Sequence, residues 1–152
     1  MLFSGIIAII AALLADQLSK YLLMNNLSDG EIIPLGSYFS LVKVWNTGVS
    51  FSMFNNHGSI GCVLLCTLSL IICAFLLYWM HKETDRLKIT GLGMIIGGAL
   101  GNVLDRIRFG AVLDFLDFHY ETYHWPAFNL ADTFICIGAC LLIVLEIFNG
   151  KK

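Results

Sequence analysis

Charged residues are scarce in this sequence of 152 residues, since Asp, Glu, Lys and Arg together occupy only 13% of its positions. Hydrophobic residues make up 58% of the chain, and its mean hydropathy is +0.81. A soluble domain is typically about 45–50% apolar and about 25% charged. The composition therefore excludes an ordinary soluble domain and indicates a membrane protein. The length suits a single integral membrane domain spanning residues 1–152.

The sequence also lacks the patterns that several functional classes require. No basic stripe or nucleic-acid motif accompanies the net charge of -2, so nucleic acid is not an expected partner. No HExxH or comparable histidine spacing predicts a metal site, and no serine lies in a GxSxG motif. The five cysteines lie in apolar runs, where cysteine acts as a small hydrophobic residue. We therefore expect no metal and no other cofactor.

Long apolar runs predict four transmembrane helices, at about 5–24, 58–80, 89–108 and 127–148. The first run lacks a basic n-region, and polar residues follow it where a signal peptide would be cut, so we interpret it as a retained helix. Asp16 and Lys20 are four residues apart on this helix and share a face. A snorkelling interfacial ion pair and a role at a functional site are both compatible with that spacing.

The polar region at about 32–57 predicts a small β-sheet. Residues 38–45 are rich in aromatic and β-branched side chains, and residues 49–54 alternate apolar and polar side chains after a turn at 46–48. A small sheet packed on helix ends outside the hydrocarbon is physically acceptable, whereas an open sheet edge in lipid is not. The sequence leaves open whether residues 111–118 add a strand or begin a surface helix.

Small residues recur every four positions in the third apolar run, at Gly93, Gly97 and Gly101. Such a ridge lets a neighbouring helix approach closely. The adjacent face carries a second set of residues that helix packing alone does not explain, namely Gly98, Asn102, Asp105 and Arg106.

Four spans place both termini on one side of the membrane, together with the charged loop 81–88. The basic residues of that side are Lys82, Arg86, Lys88, Lys151 and Lys152, and those of the opposite side are Lys20, Lys43, Arg106 and Arg108. The excess is a weak positive-inside bias. We therefore expect cytoplasmic termini and polar clusters on the extracytoplasmic face.

Acidic side chains collect at the adjoining ends of the third and fourth runs. Three acids lie near the end of the third run or after it: Asp105, Asp114 and Asp117. Asp132 lies about one turn inside the fourth, where a lipid-facing carboxylate would cost a few kcal/mol without a partner. Two carboxylates that share a proton would satisfy this need, one activating water and the other polarising a carbonyl. The residues alone leave the partner of Asp132 undecided, and a salt bridge of one acid to Arg106 or Arg108 is an alternative.

Short sequence blocks resemble those of the lipoprotein signal peptidases (signal peptidase II), a family of bacterial inner-membrane aspartic peptidases. The blocks are DQLSK at 16–20, NTGVSF at 46–51, GGALGNVLDR at 97–106, VLDF at 112–115 and FNLAD at 128–132. With the four apolar runs, the resemblance covers nearly the whole chain. One residue departs from the pattern, because Ser50 stands where the family usually has alanine. We expect a modest effect on substrate contacts from this change.

The resemblance implies an α-helical membrane endopeptidase with four transmembrane helices and a small extracytoplasmic β-sheet, the cradle. Such an enzyme removes signal peptides from diacylglyceryl-modified prolipoproteins, cutting just before the lipidated cysteine of the lipobox. The family works among membrane lipids and is inhibited by globomycin-like cyclic peptides. By the matching blocks, Asp114 and Asp132 are the catalytic pair. The residues that would orient substrate or support the pair are Asp16, Lys20, Asn46, Gly98, Asn102, Arg106 and Asn129.

Asp117 lies outside the matching blocks, and we expect it to be a solvent-facing acid. Two other functions compete with the aspartic peptidase. One is a non-enzymatic membrane protein, such as a transporter subunit or lipid-binding scaffold, in which the acids are structural. The other is a serine or metallopeptidase. Transport is disfavoured because the polar residues collect at one membrane face and not in the middle of several helices.

Overall fold

The structure is a computed structural model that describes residues 2–28, 30–48 and 58–149. Within these ranges the helices are α1 (Leu2–Asn26), α2 (Gly58–Lys82), α3 (Arg86–Phe109) and α4 (Leu130–Asn149). The strands are β1 (Ile33–Pro34), β2 (Phe39–Asn46), β3 (Val112–Tyr120) and β4 (Tyr123–His124). All four helices contain a segment long and apolar enough to cross a membrane. The predicted fold class, four spanning helices with a small β-sheet, is confirmed.

Helix α3 lies at the centre of the helical bundle. Half of its most apolar segment (50%) is buried inside the protein, against 17% or less for the other helices. The glycine ridge packs on α1, with Gly93 against Gly5 and Gly97 against Ile9. This contact confirms that the ridge serves the close approach of a helix. A hydrophobic core on another side of α3 joins it to α2 and contains Cys73, Leu76, Met80, Ile89, Leu92 and Ile96.

Capping residues fix both ends of α3, and the C-terminal cap leads the chain into the sheet. Asp85 is the N-cap, and its side chain accepts hydrogen bonds from the backbone N–H groups of Leu87 and Lys88. Gly110 ends the helix with φ 71°, a left-handed conformation that glycine adopts at low cost, and its N–H donates to the Arg106 carbonyl at 3.0 Å. Strand β3 begins directly after this turn.

Helix α4 begins at Leu130, later than the predicted start at 127. Asn129 precedes it as a cap: its side-chain oxygen accepts from the Asp132 N–H at 2.9 Å, while its own N–H donates to the Asp132 carboxylate at 3.3 Å. This reciprocal arrangement is a capping box. The predicted start was too early because Asn129 closes the helix end with its side chain instead of continuing the helix.

The strands form one antiparallel sheet in the order β1-β2-β3-β4. Residues 112–120 are therefore a strand, which decides the question that the sequence left open. In the β2–β3 ladder Val44 pairs with Asp114 and Asn46 pairs with Val112, after an irregularity in β2 between Leu41 and Val44. The second strand predicted at 49–54, which contains Ser50, lies outside the described residues.

The prediction that Asp117 faces solvent is wrong. Asp117 is only 6% exposed, and its carboxylate accepts a hydrogen bond from Nδ1 of His124 at 2.9 Å. The β3–β4 hairpin brings the two residues together by folding β4 back on the end of β3. The neighbouring His119 ring nitrogen Nε2 bonds with the Ser40 hydroxyl at 3.0 Å.

Candidate active site

Asp114 and Asp132 come from different elements and meet at the same residue, Asn129. The side-chain amide of Asn129 donates to Oδ1 of Asp114 at 2.7 Å, and its backbone N–H donates to Oδ2 of Asp132. Asn129 is fully buried (0% exposed). One rigidly held residue therefore fixes the two carboxylates relative to each other.

Each carboxylate also accepts a hydrogen bond from the side chain of another asparagine. Asn46 at the end of β2 donates to Oδ2 of Asp114 at 2.9 Å, and Asn102 of α3 donates to Oδ1 of Asp132 at 2.8 Å. Asn46 is oriented by the turn that follows it, because its side-chain oxygen accepts from the N–H of Gly48 at 2.7 Å. Both acids are thus anchored from two directions, which limits the conformations that their side chains adopt.

Asp114 lies in β3, outside the spanning helices, and is only 2% exposed. Burial raises the pKa of its carboxyl above the ordinary value. The hydrogen bond from Asn46 opposes this rise in pKa, and the nearby charge of Asp132 adds to it. Asp114 therefore keeps its proton to a higher pH than an exposed aspartate.

An open cleft of about 290 Å³ borders Asp114. Its lining residues are Val44, Trp45, Asn46, Thr47, Asp114, Pro126 and Ala127. The cleft runs between the end of β2 and the segment that leads into α4. The Trp45 ring packs on Phe109 of α3, with ring centroids 5.3 Å apart, which holds this wall against the helix end. One of the two carboxyls, that of Asp114, therefore borders a space that is open to a ligand.

Lys20 occupies a buried ionic network behind the two acids. Its ammonium lies 2.9 Å from Oδ2 of Asp16, 2.7 Å from Oδ2 of Asp105 and 3.1 Å from Oδ1 of Asn102. A lysine ammonium has three N–H donors, so all of them are satisfied. Lys20 and Asp16 are 3% and 0% exposed. The interpretation of this pair as a snorkelling interfacial ion pair is wrong, because helix packing encloses it.

Arg106 does not form the salt bridge with Asp105 that the sequence allowed. In the described part of the chain the side chain of Asp105 binds Lys20, Gln17 and the N–H of Leu113. Arg106 donates to the carbonyl of Asn102 at 3.4 Å, and its buried Nε has no hydrogen-bond partner among the described residues.

Two further residues named from the sequence are Gly98, as a supporting residue of the site, and Arg108, as an alternative salt-bridge partner of one acid. Arg108 donates to Oε1 of Gln17 at 3.1 Å, so the described contacts give it a partner other than Asp114 or Asp132. Gly98 packs against the backbone of Ala131, where a Cβ would collide with the carbonyl oxygen of that residue. Its contact in the structure is therefore with helix α4.

Gln17 was missing from the residues suggested by the sequence, although it lies in the ionic network. Its amide donates to Oδ1 of Asp105 at 2.9 Å and to the Gly101 carbonyl at 3.3 Å. A polar side chain beside Asp16 in an apolar helix was the available signal, because a membrane helix rarely retains such a residue without a partner. Asp105 was recognised only as a possible member of the acid pair.

Both the sequence and the fold of this chain resemble those of known proteins. The model of a family described as signal peptidase (SPase) II matches residues 8–148. The lipoprotein signal peptidase of Aeromonas hydrophila is 43% identical over 149 residues, which cover 94% of this chain and 87% of that protein. That of Rhodopseudomonas palustris is 40% identical, with 91% and 88% covered. A bacterial membrane enzyme solved by the in meso method has the same fold, with a TM-score of 0.81, 24% identity and coverage of 93% of this chain and 90% of its own.

Proposed function

Because this chain belongs to the signal peptidase II family, we propose that it is an aspartic endopeptidase that removes signal peptides from lipoprotein precursors. The observation that carries the aspartic mechanism is the joint anchoring of Asp114 and Asp132 on Asn129, beside an open cleft. The substrate is a diacylglyceryl-modified prolipoprotein, cut just before the lipidated cysteine of the lipobox.

The two aspartates divide the acid and base roles. Burial favours the protonated form of Asp114, so this carboxyl holds the shared proton and donates a hydrogen bond to the scissile carbonyl oxygen. Asp132 is the general base and takes a proton from water as the water oxygen attacks the carbonyl carbon. The tetrahedral intermediate then breaks its C–N bond, and a proton from the pair goes to the leaving amine. The products are the signal peptide with a new carboxyl end and the lipidated protein with a free amino group.

The neighbouring polar residues suit an extended peptide backbone. Asn46 lines the cleft and already contacts Asp114, so its amide is placed to bind the substrate near the scissile bond. The guanidinium of Arg106 has five donors, and among the described residues its only acceptor is the Asn102 carbonyl, which Nη1 contacts. We assign Arg106 to a substrate carbonyl. Globomycin-like cyclic peptides would compete for the same cleft.

The location of the pair suits a lipid-anchored substrate. Asp114 and Asp132 lie where α3 ends and α4 begins, so a substrate held in the bilayer by its acyl chains meets them at the membrane surface. We propose that this surface is the extracytoplasmic face of the bacterial inner membrane, with both termini in the cytoplasm.

Cleavage of a lipidated precursor by the purified chain in proteoliposomes tests the proposal. Asp114→Asn and Asp132→Asn preserve side-chain volume and one of the two acceptor oxygens but remove the shared proton. We expect each variant to lose about 10²–10⁴-fold in kcat, the range for removing general acid–base catalysis. Mass spectrometry of the product checks that its chain begins at the lipidated cysteine.

Asp117→Asn is the matched control, because Asp117 lies on the same strand but binds His124. This variant should process the precursor at close to the unaltered rate. Normal processing by either Asp114→Asn or Asp132→Asn would exclude the aspartic mechanism. Loss of activity with a chelator or a serine-directed reagent would favour the competing peptidase classes.

A further inference from the structure

Two buried acids of the Lys20 network bind the backbone immediately before the proposed catalytic residues. Oδ1 of Asp16 accepts the N–H of Ala131 at 2.9 Å, and Ala131 precedes Asp132. Oδ2 of Asp105 accepts the N–H of Leu113 at 3.4 Å, and Leu113 precedes Asp114. A carboxylate from a neighbouring helix therefore contacts the backbone of each half of the site, closely at Ala131 and through a longer bond at Leu113.

Lys20 connects these two attachments. Its ammonium binds both carboxylates, so α1 and α3 hold the start of α4 and the start of β3 through one cation. All of the groups involved are enclosed, with exposures of 0% for Asp16, 3% for Lys20 and 2% for Asp105. Buried ionic hydrogen bonds of this kind are short and directional, and displacement of one partner leaves the others unsatisfied.

Asp105 does not line the cleft, and its contact with the site is through the backbone N–H of Leu113. Its second oxygen is held by the amide of Gln17 at 2.9 Å, which fixes the orientation of the carboxylate from α1. The opposite side of Leu113 is covered as well, since that residue is 1% exposed and pairs with Trp45 in β2. The backbone at Leu113 is thus clamped between the sheet and Asp105.

We propose that Asp105 is a positioning residue for Asp114, the counterpart of Asp16 for Asp132. The inference deepens the proposed function and rests on it. Asp105 sets the position of the strand that carries Asp114, and so the alignment of the acid pair with the scissile bond. A misplacement of about 1 Å at a catalytic group can cost on the order of 100-fold in rate. Asn46 and Pro126 line the cleft that would bind the substrate, whereas Asp105 does not.

The test measures kcat and KM for the full-length chain with a lipidated precursor. For Asp105→Asn we expect kcat to fall about 10-fold or more while KM stays within about twofold, because alignment changes and binding does not. Gln17→Ala removes the amide that donates to Oδ1 of Asp105 and keeps the buried charge of Asp105 itself. We expect it to lower kcat in the same way but to a smaller extent, and it carries the test if Asp105→Asn does not fold.

The pH dependence of the rate supplies a readout that a purely structural role would not move. The charged groups on other elements that act on Asp114 are Asp132 and Lys20. Lys20 in turn binds the carboxylates of Asp16 and Asp105. Removing the negative charge of Asp105 leaves the Lys20 cation less compensated. The Lys20 cation then favours the ionised form of Asp114 and lowers the pKa of that carboxyl. The alkaline limb of the pH profile of kcat should therefore move to lower pH in Asp105→Asn.

Asp85→Asn is the matched control, because it is the same change at the opposite end of α3 and asparagine is an equally good N-cap. Unaltered kcat in this control, together with reduced kcat in the two test variants, supports the inference. The inference is overturned if the folded Asp105→Asn and Gln17→Ala variants have kcat within about twofold of the unaltered chain, or if their loss of kcat/KM comes from KM. Either result leaves the proposed function intact. Failure of the unaltered chain to cleave the precursor overturns both.

Discussion

At the scale of single residues, Asn129 combines two roles that are usually separate. It caps α4 through a reciprocal pair of hydrogen bonds with Asp132, and it donates its amide to Asp114. A cap stabilises a helix by satisfying N–H groups that have no partner within the helix. Here the same bonds fix the distance of one acid from the other. Stability of the helix end and geometry of the proposed acid pair therefore depend on one side chain.

The amide of Asn46 makes the proton affinity of Asp114 testable. Its hydrogen bond favours the ionised carboxylate and so lowers the pKa of Asp114, against the rise caused by burial. Asn46→Leu removes the bond while keeping the position apolar and of similar volume, so the pKa of Asp114 should rise further. The shared proton is then lost at higher pH. We expect the alkaline limb of kcat/KM to shift upward by a measurable fraction of a pH unit, with a lower rate at the optimum.

Rate–pH profiles of the purified chain in lipid measure this shift. Asn25→Leu provides the comparison, because Asn25 is exposed near the end of α1 and donates to the Tyr21 carbonyl. Its profile should match that of the unaltered chain. A limb that moves to lower pH in Asn46→Leu would show that the Asn46 bond does not act on the proton-carrying acid.

At the scale of elements, the seam between α3 and α4 sets the position of Asp132. A Cβ at Gly98 would collide with the Ala131 carbonyl and approach Cγ1 of Ile135 to 3.0 Å. Backbone atoms cannot move aside independently, so Gly98→Ala pushes the start of α4 away from α3. We expect a destabilisation of about 1–3 kcal/mol from overpacking. We also expect a loss of activity on the order of 100-fold, because the displaced backbone adjoins Asp132.

Gly138→Ala separates these two effects. Gly138 lies in the same seam, and an added Cβ would meet the Gly91 carbonyl at 2.6 Å and Cγ1 of Ile95 at 2.8 Å. Thermal unfolding in detergent should therefore show a comparable destabilisation for both variants, whereas precursor cleavage should fall sharply only for Gly98→Ala. Equal activities in the two folded proteins would contradict a link between the seam and the site.

The elements could be predicted from sequence because their signals are local. Long apolar runs predict spans whatever they pack against, and a four-residue glycine period predicts a close helix contact. The burial of Asp16 and Lys20 could not be predicted in this way. Their spacing shows that they share a face, but whether that face meets lipid headgroups or α3 depends on the arrangement of the helices. The same limit explains the error at Asp117, whose partner His124 arrives through a hairpin.

At the scale of the whole molecule, the polar network gathers at one end of the bundle. Asp16 and Lys20 lie toward the end of α1, Asn102 and Asp105 toward the end of α3, and Asp132 in the first turn of α4. The opposite end carries the N-cap of α3 and the exposed pair of Lys88 with Glu146, 2.7 Å apart. The proposed acid pair and the buried polar network thus lie at one end of the bundle, and the Lys88–Glu146 pair lies at the other.

This asymmetry strengthens the orientation that the basic residues suggest. Lys20 is neutralised inside the bundle by Asp16 and Asp105, so it is part of the packed helix ends and not a free loop charge. The positive-inside bias toward the side of Lys82, Arg86 and Lys88 is therefore larger than a simple count of sequence positions indicates. We expect that side to be cytoplasmic, with the acid pair facing outward.

Reporter fusions in a bacterial host check this orientation. A green fluorescent protein joined after Lys152 should fluoresce, and alkaline phosphatase joined there should be inactive, because the first folds in the cytoplasm and the second requires an oxidising compartment for its disulfides. Alkaline phosphatase inserted in the β3–β4 turn at 121–122 should be active, since that turn lies at the end of the bundle with the acid pair. The reverse pattern would place Asp114 and Asp132 on the cytoplasmic face, where a translocated signal peptide could not reach them.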